Sequence, residues 1–148
     1  MVPIWPGSFV MGSPSKPPER EVVMNQIYYI LNHEVTVGEY RLCVEAGACH
    51  YSEPTESHYW TMKNPDQIDA PLNYISWDQT QEYARWLSLQ YPGNYRLCTE
   101  AEWEYAARAE GKGRFGCGTE AKCLNQHAWH SHNPVSYTHL RAHETYVH

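Results

Sequence analysis

The sequence has no apolar run approaching the ~20 residues that a membrane-crossing helix needs, and Lys and Arg do not cluster anywhere along its 148 residues. No membrane partner is therefore expected. With a formal net charge of −6, no nucleic-acid partner is expected either, because a phosphate backbone selects a basic face. The opening Met1-Val-Pro-Ile-Trp-Pro6 lacks the basic start and long apolar stretch of a secretory leader. There is no Ser-His-Asp order, no phosphate-binding loop, no dinucleotide fingerprint and no internal repeat. Phe is scarce, with two residues against six Trp and twelve Tyr. Trp and Tyr each combine a large apolar body with a polar handle. Together with ten Pro and nine Gly, that balance suits an irregular, loop-rich domain better than a regular bundle. A hydrophobic fraction of 42% and a charged fraction of 19% support a folded core over disorder, and the length predicts one domain.

The chain carries five cysteines. The five residues fall into two local pairs, Cys43/Cys49 and Cys117/Cys123, with Cys98 left over. Such spacing fits disulfides formed in an oxidising, extracytoplasmic compartment, the alternative being buried free thiols. Zinc is not expected, since no second C-x-x-C or His pair stands at finger spacing.

What is present is a series of short elements with strong boundary signals. Residues 1–12 read as an opening strand, Ser13 to Glu21 as a polar loop, and Val22 to Ile30 as a second strand rich in β-formers. Thr36 and Glu39 form a capping box for a helix from about Val37 to Ala46, with Gly47 in the left-handed C′ position. Residues 50–72 read as a long polar connection. Leu72 to Ser76 is predicted as a strand. Ser76 and Gln79 cap the next helix, whose buried face is predicted from Trp77, Thr80, Ala84 and Leu87. Tyr95 to Cys98 reads as a strand running into a third capped helix. There Thr99 accepts from the N–H of Glu102, Glu102 reaches back to Thr99, and Glu100 and Glu102 sit where the helix dipole favours negative charge. Gly111, Gly113, Gly116 and Gly118 end it.

Several residue groups invite a chemical reading. Glu100, Glu102 and Glu104 look like an acid/base set, but capping and ion pairs with Arg96 or Arg108 explain them better. His127, His130 and His132 look like a metal site, but surface or core-filling roles fit better. Trp77, Trp86 and Trp103 are expected in the core, and Cys98 is expected to be a small buried residue.

The run Tyr95-Arg-Leu-Cys-Thr-Glu-Ala-Glu-Trp-Glu-Tyr-Ala-Ala-Arg108 resembles the signature of the formylglycine-generating, or sulfatase-modifying factor, family, with Cys98 in place of the usual Pro. The structural residues carried by the motif are Tyr95, Arg96, Leu97, Thr99, Glu100, Glu102, Trp103, Glu104 and Arg108. Further blocks follow in family order: the opening to Ser13, Glu34-Val-Thr to Cys49, Pro71 to Trp77, Tyr83 to Ser88, and Phe115 to Asn133. The resemblance implies an α+β, complex C-type-lectin-like fold, irregular, with short strands and two or three capped helices. It implies oxidation of a cysteine in an unfolded sulfatase peptide to formylglycine by molecular oxygen, with copper on a cysteine pair and calcium on oxygen ligands. The family's cysteine-bearing Arg-Gly-Gly-Ser-Trp region has no match here. No catalytic residue is therefore assigned, Asn125 and Asn133 are at most weak calcium ligands, and the 148 residues are expected to be inactive alone. Sulfoxide synthases and pyoverdine-maturation enzymes share the superfamily, and a non-catalytic lectin-like binding module is the competing reading. Residues 1–135 are expected to form part of a family domain. Residues 136–148 have no visible family counterpart and read as a non-native tail of sequencing-adaptor type, which makes the domain a truncated one.

Overall fold

The computed structural model describes residues 1–13, 16–52, 62, 66–108 and 146–147. Within them the chain forms β1 (Val2–Ile4), β2 (Gly7–Ser13), β3 (Lys16–Met24), β4 (Tyr28–Ile30), α1 (Val37–Glu45), α2 (Trp77–Gln90), β5 (Arg96–Leu97), α3 (Glu100–Arg108) and β6 (Tyr146–Val147). One antiparallel sheet has the order β1-β4-β6-β5, and a second is the β2-β3 hairpin. Mixed α+β character with small sheets matches the sequence-based expectation.

The β-strand boundaries differ from those predicted, each for a local reason. The opening strand divides at Trp5-Pro6, and its halves enter different sheets. The polar stretch 13–21 is not a loop throughout: Ser13 pairs with Lys16 and β3 runs on to Met24. Its adjacent prolines, Pro17 and Pro18, fall between the Arg20 and Lys16 pairings, where the register shifts and the ladder is irregular, a position at which a missing N–H is tolerated. The single strand predicted from Val22 to Ile30 breaks between Met24 and Tyr28, at Asn25-Gln26, residues poor in β propensity. Leu72 to Ser76 makes no strand. Pro71 forms one isolated bridge with Thr36, and Tyr74 then takes φ 55°, a left-handed turn of the backbone that a ladder cannot hold.

The helices start where their caps predict. Glu39 N–H donates to Thr36 Oγ1 at 3.2 Å while Thr36 N–H donates to Glu39 Oε2 at 2.8 Å. The same reciprocal pair joins Ser76 and Gln79. Gly47, at φ 70°, stops α1, and its N–H closes on the Val44 carbonyl at 2.9 Å.

The core lies between α1 and α2. Val35, Tyr40, Cys43, Cys49, Tyr83, Ala84 and Leu87 are buried there together. Tyr40 and Tyr83 rings lie 5.5 Å apart, and Tyr83 and Trp86 rings 5.6 Å apart. The buried stripe of α2 is Gln79, Tyr83, Ala84 and Leu87: the predicted Ala84 and Leu87 are in it, while Gln79 and Tyr83 stand in place of Trp77 and Thr80. Trp77 is 69% exposed and Trp103 46% exposed, so two of the three Trp expected in the core lie at the surface. Trp77 occupies the first helical position, and a helical side chain leans toward the N-terminus, which carries the indole past the end of the stripe. Trp86 is partly buried against the core.

Candidate functional site

Strand β5, the Thr99 turn and helix α3 meet β4 around one buried carboxylate. Arg96 donates two parallel hydrogen bonds to Glu102, Nη1 to Oε2 at 2.8 Å and Nη2 to Oε1 at 2.6 Å. Thr99 N–H donates to Glu102 Oε2 at 2.7 Å, and Glu102 N–H donates to Thr99 Oγ1 at 3.2 Å. The expected capping box is thus present and is locked by an arginine fork. Arg96 Nη1 also donates to the Leu97 carbonyl at 3.0 Å. From β4, the Tyr28 hydroxyl donates to the Glu102 carbonyl at 2.8 Å in a buried setting. The motif therefore ties strand, cap, helix and the neighbouring sheet strand at one residue.

This cluster forms one wall of an open cleft of about 480 Å³, lined also by Met24, Asn25, Gln26 and Asn94. Its titration properties are those of a structural joint. The Arg96 guanidinium, followed by the Thr99 cap, holds Glu102 below the usual carboxylate range against the opposing effect of burial. The same bond raises Arg96. Burial, reinforced by Glu102, pushes Tyr28 well above its ordinary value. A carboxylate held ionised with both oxygens occupied is a poor proton acceptor, so Glu102 is not the base that its spacing first suggests. Glu104 is committed elsewhere. Its Oε1 accepts from Gly12 N–H at 2.9 Å and from Arg108 Nε at 2.8 Å, while Arg108 also donates to the Gly12 carbonyl. That set fastens α3 to the β2-β3 hairpin. Glu100 is exposed at the first turn of α3, and Cys98 is half-buried between β5 and α3.

Cys43 and Cys49 form the predicted disulfide, with Cα atoms 5.3 Å apart. Cys117 and Cys123, as well as His127, His130, His132, Asn125 and Asn133, lie outside the described residues. Among the described residues, no group of three or more His, Cys, Asp or Glu side chains converges as a metal site. The two described cysteines of a local pair are bonded to each other, so they do not fit a Cu(I) thiolate site.

The sequence did not reveal a second joint centred on His50. Its N–H donates to Glu82 Oε2 at 2.9 Å, and its carbonyl accepts from Tyr40 Oη at 2.8 Å and Gln79 Nε2 at 3.0 Å. The His50 N–H, ahead of the ring, lowers Glu82. The only sequence signal was Gln79 as a cap partner, which leaves its amide nitrogen unassigned.

Comparison with known proteins places this arrangement. The family model for the sulfatase-modifying factor enzyme 1-like domain matches residues 1–146. A stretch of 44 residues, 30% of the chain, is 48% identical to a formylglycine-generating enzyme of Streptomyces coelicolor and spans 12% of that protein. The structure of PvdO from Pseudomonas aeruginosa superposes with a TM-score of 0.74 over 96% of the chain and 63% of PvdO, at 24% identity. The chain thus spans less than two thirds of the length of either relative, and the PvdO likeness is one of fold.

Proposed function

This chain belongs to the family of sulfatase-modifying factor enzyme 1-like domains, and from that premise we propose that it supplies the scaffold of a formylglycine-generating oxidase. The substrate class is a cysteine within an unfolded sulfatase peptide, oxidised to formylglycine at the expense of molecular oxygen. The observation that carries this reading is the 48% identity to a formylglycine-generating enzyme, set within a family match from residue 1 to residue 146. The fold proposed is the complex C-type-lectin-like kind, consistent with small sheets, short strands and three helices among the described residues. An oxidising, extracytoplasmic setting is supported by the Cys43–Cys49 bond.

The described residues act as architecture in this proposal. Arg96, Thr99, Glu102 and Tyr28 hold the strand-to-helix joint, and Glu104 with Arg108 holds the hairpin. Copper would supply redox chemistry on soft thiolates, and calcium would bind hard oxygen ligands. No step is assigned through either. The test is aldehyde formation on a peptide carrying Cys-x-Pro-x-Arg, supplied with Cu(I) and oxygen. The 148-residue chain and the protein encoded by the reading frame re-read from DNA are compared side by side. Aldehyde from the second and none from the first is the expected result. No aldehyde from either would replace the oxidase with a non-catalytic module of the same fold.

A further inference from the structure

The Cys43–Cys49 bond, His50 and Glu82 are stacked in sequence and space in a way that capping and core packing do not require. Cys43 is fully buried on α1, while Cys49 is the residue of the pair that keeps some exposure, 5%. Between them the chain makes one tight exit turn, with the Ala48 and Cys49 N–H groups both donating to the Cys43 carbonyl at 3.1 and 3.3 Å. The next residue, His50, makes the three backbone contacts that tie this exit to Tyr40 of α1 and to Gln79 and Glu82 of α2. The far end of the connection that begins there is held separately. Gly38 N–H donates to the Ile68 carbonyl at 2.8 Å, Val37 N–H to Ala70 at 2.9 Å, and Leu72 N–H to Val35 at 2.9 Å. One end of the connection thus depends on the disulfide through its neighbour, and the other does not.

We infer that the Cys43–Cys49 disulfide is a redox-operated latch that fixes the start of the 50–72 connection against α2 through His50. A dithiol reductant operates it. One reductant thiolate attacks Cys49 Sγ, the Sγ–Sγ bond breaks, and Cys43 leaves as a thiolate that takes up a proton. The second reductant thiol then displaces the mixed disulfide, so the two cysteines gain two electrons and two protons while the reductant becomes a disulfide. Opening the latch lets the exit turn unwind. His50 N–H then leaves Glu82, and the His50 carbonyl loses both Tyr40 and Gln79. Because the bonds at Gly38, Val37 and Leu72 need no disulfide, the change stays local. The latch is independent of the chemistry proposed above.

The test is amide hydrogen exchange on the 148-residue chain before and after treatment with dithiothreitol, with reduction confirmed by alkylation of Cys43 and Cys49. The expected result is a rise of about tenfold or more in exchange at His50, as for a local opening, with Gly38, Val37 and Leu72 unchanged. Glu82→Ala, which removes the acceptor of the His50 N–H while leaving the disulfide intact, should raise exchange at His50 alone. Three results would overturn the latch: a bond that resists the dithiol under native conditions, unchanged His50 exchange after verified reduction, or loss of protection at all four amides together.

Discussion

Glu102→Gln tests the central joint most directly. The substitution keeps the side chain's shape and removes its charge. Gln retains one oxygen, enough for the Thr99 N–H bond, but loses the ionic, two-pronged contact with Arg96. A hydrogen bond to a charged group contributes roughly 1.5–3 kcal/mol when buried. The Glu102 side chain is 11% exposed but that of Arg96 is 42% exposed, so solvent screening places the loss toward the lower end, about 2 kcal/mol. For a chain of this size that corresponds to a fall in Tm of about 4–8 °C, readable by near-ultraviolet circular dichroism. The pH dependence has a definite sign. Arg96 holds the folded-state pKa of Glu102 below its ordinary value of 4.5. Its contribution is therefore present in full above that value and is lost as pH falls below it. The gap between the two proteins should be widest near pH 7 and close progressively toward pH 3. A gap under about 0.5 kcal/mol at pH 7, the range of ordinary surface changes, would refute the reasoning, as would a gap that does not change down to pH 3. In a double-mutant cycle, Arg96→Met should lose most of its own effect once Glu102→Gln is present.

Thr99→Ala and Ser76→Ala should each cost about 1 kcal/mol in urea unfolding, the usual loss of an N-cap acceptor. An unchanged midpoint for either would contradict its capping role. Gly38→Ala should destabilise by about 1–2 kcal/mol despite the better helix propensity of Ala, because its Cβ would lie 2.7 Å from Ile68 Cγ1 and 3.1 Å from the Ile68 carbonyl. A raised denaturation midpoint would show that Ile68 yields freely. Burial, with Glu82 adding to it, moves Tyr40 from 10.0 to about 12, and Tyr28 is raised further. The neutral phenols therefore contribute stability that is complete below pH 10 and declines above it toward pH 12. Tyr28→Phe and Tyr40→Phe should each flatten that decline, measured as Tm against pH.

The expected elements divide by the range of the forces that set them. All three capping boxes were legible because each is a contact across three residues: Thr36 with Glu39, Ser76 with Gln79, and Thr99 with Glu102. The Cys43–Cys49 pairing and the left-handed Gly47 were legible for the same reason. Strand limits were less so. Whether Lys16 pairs with Ser13, or whether Met24 and Tyr28 belong to one strand, depends on which sheet edge is available. Composition along the chain does not encode that availability.

The sequence alone determined the family, the capped helices and the local disulfide, since each is written in residue identities a few positions apart. Tertiary structure decided which distant elements the motif fastens. Only the approach of β4 gives the Glu102 carbonyl its Tyr28 partner, 74 positions away, and only the return of β2 gives Glu104 the Gly12 N–H, 92 positions away. The capping and ion-pair reading of Glu102 and Glu104 was already available from the sequence; those long-range bonds add what the motif fastens, α3 to β4 through the Glu102 backbone carbonyl and α3 to the β2-β3 hairpin through the Glu104 carboxylate. The physical reason is occupancy. A carboxylate can accept a proton in catalysis only if its lone pairs and charge are not already committed; Arg96 and Thr99, six and three positions away, commit Glu102, whereas Glu104 is committed by the nearby Arg108 and by Gly12, which only the tertiary fold delivers.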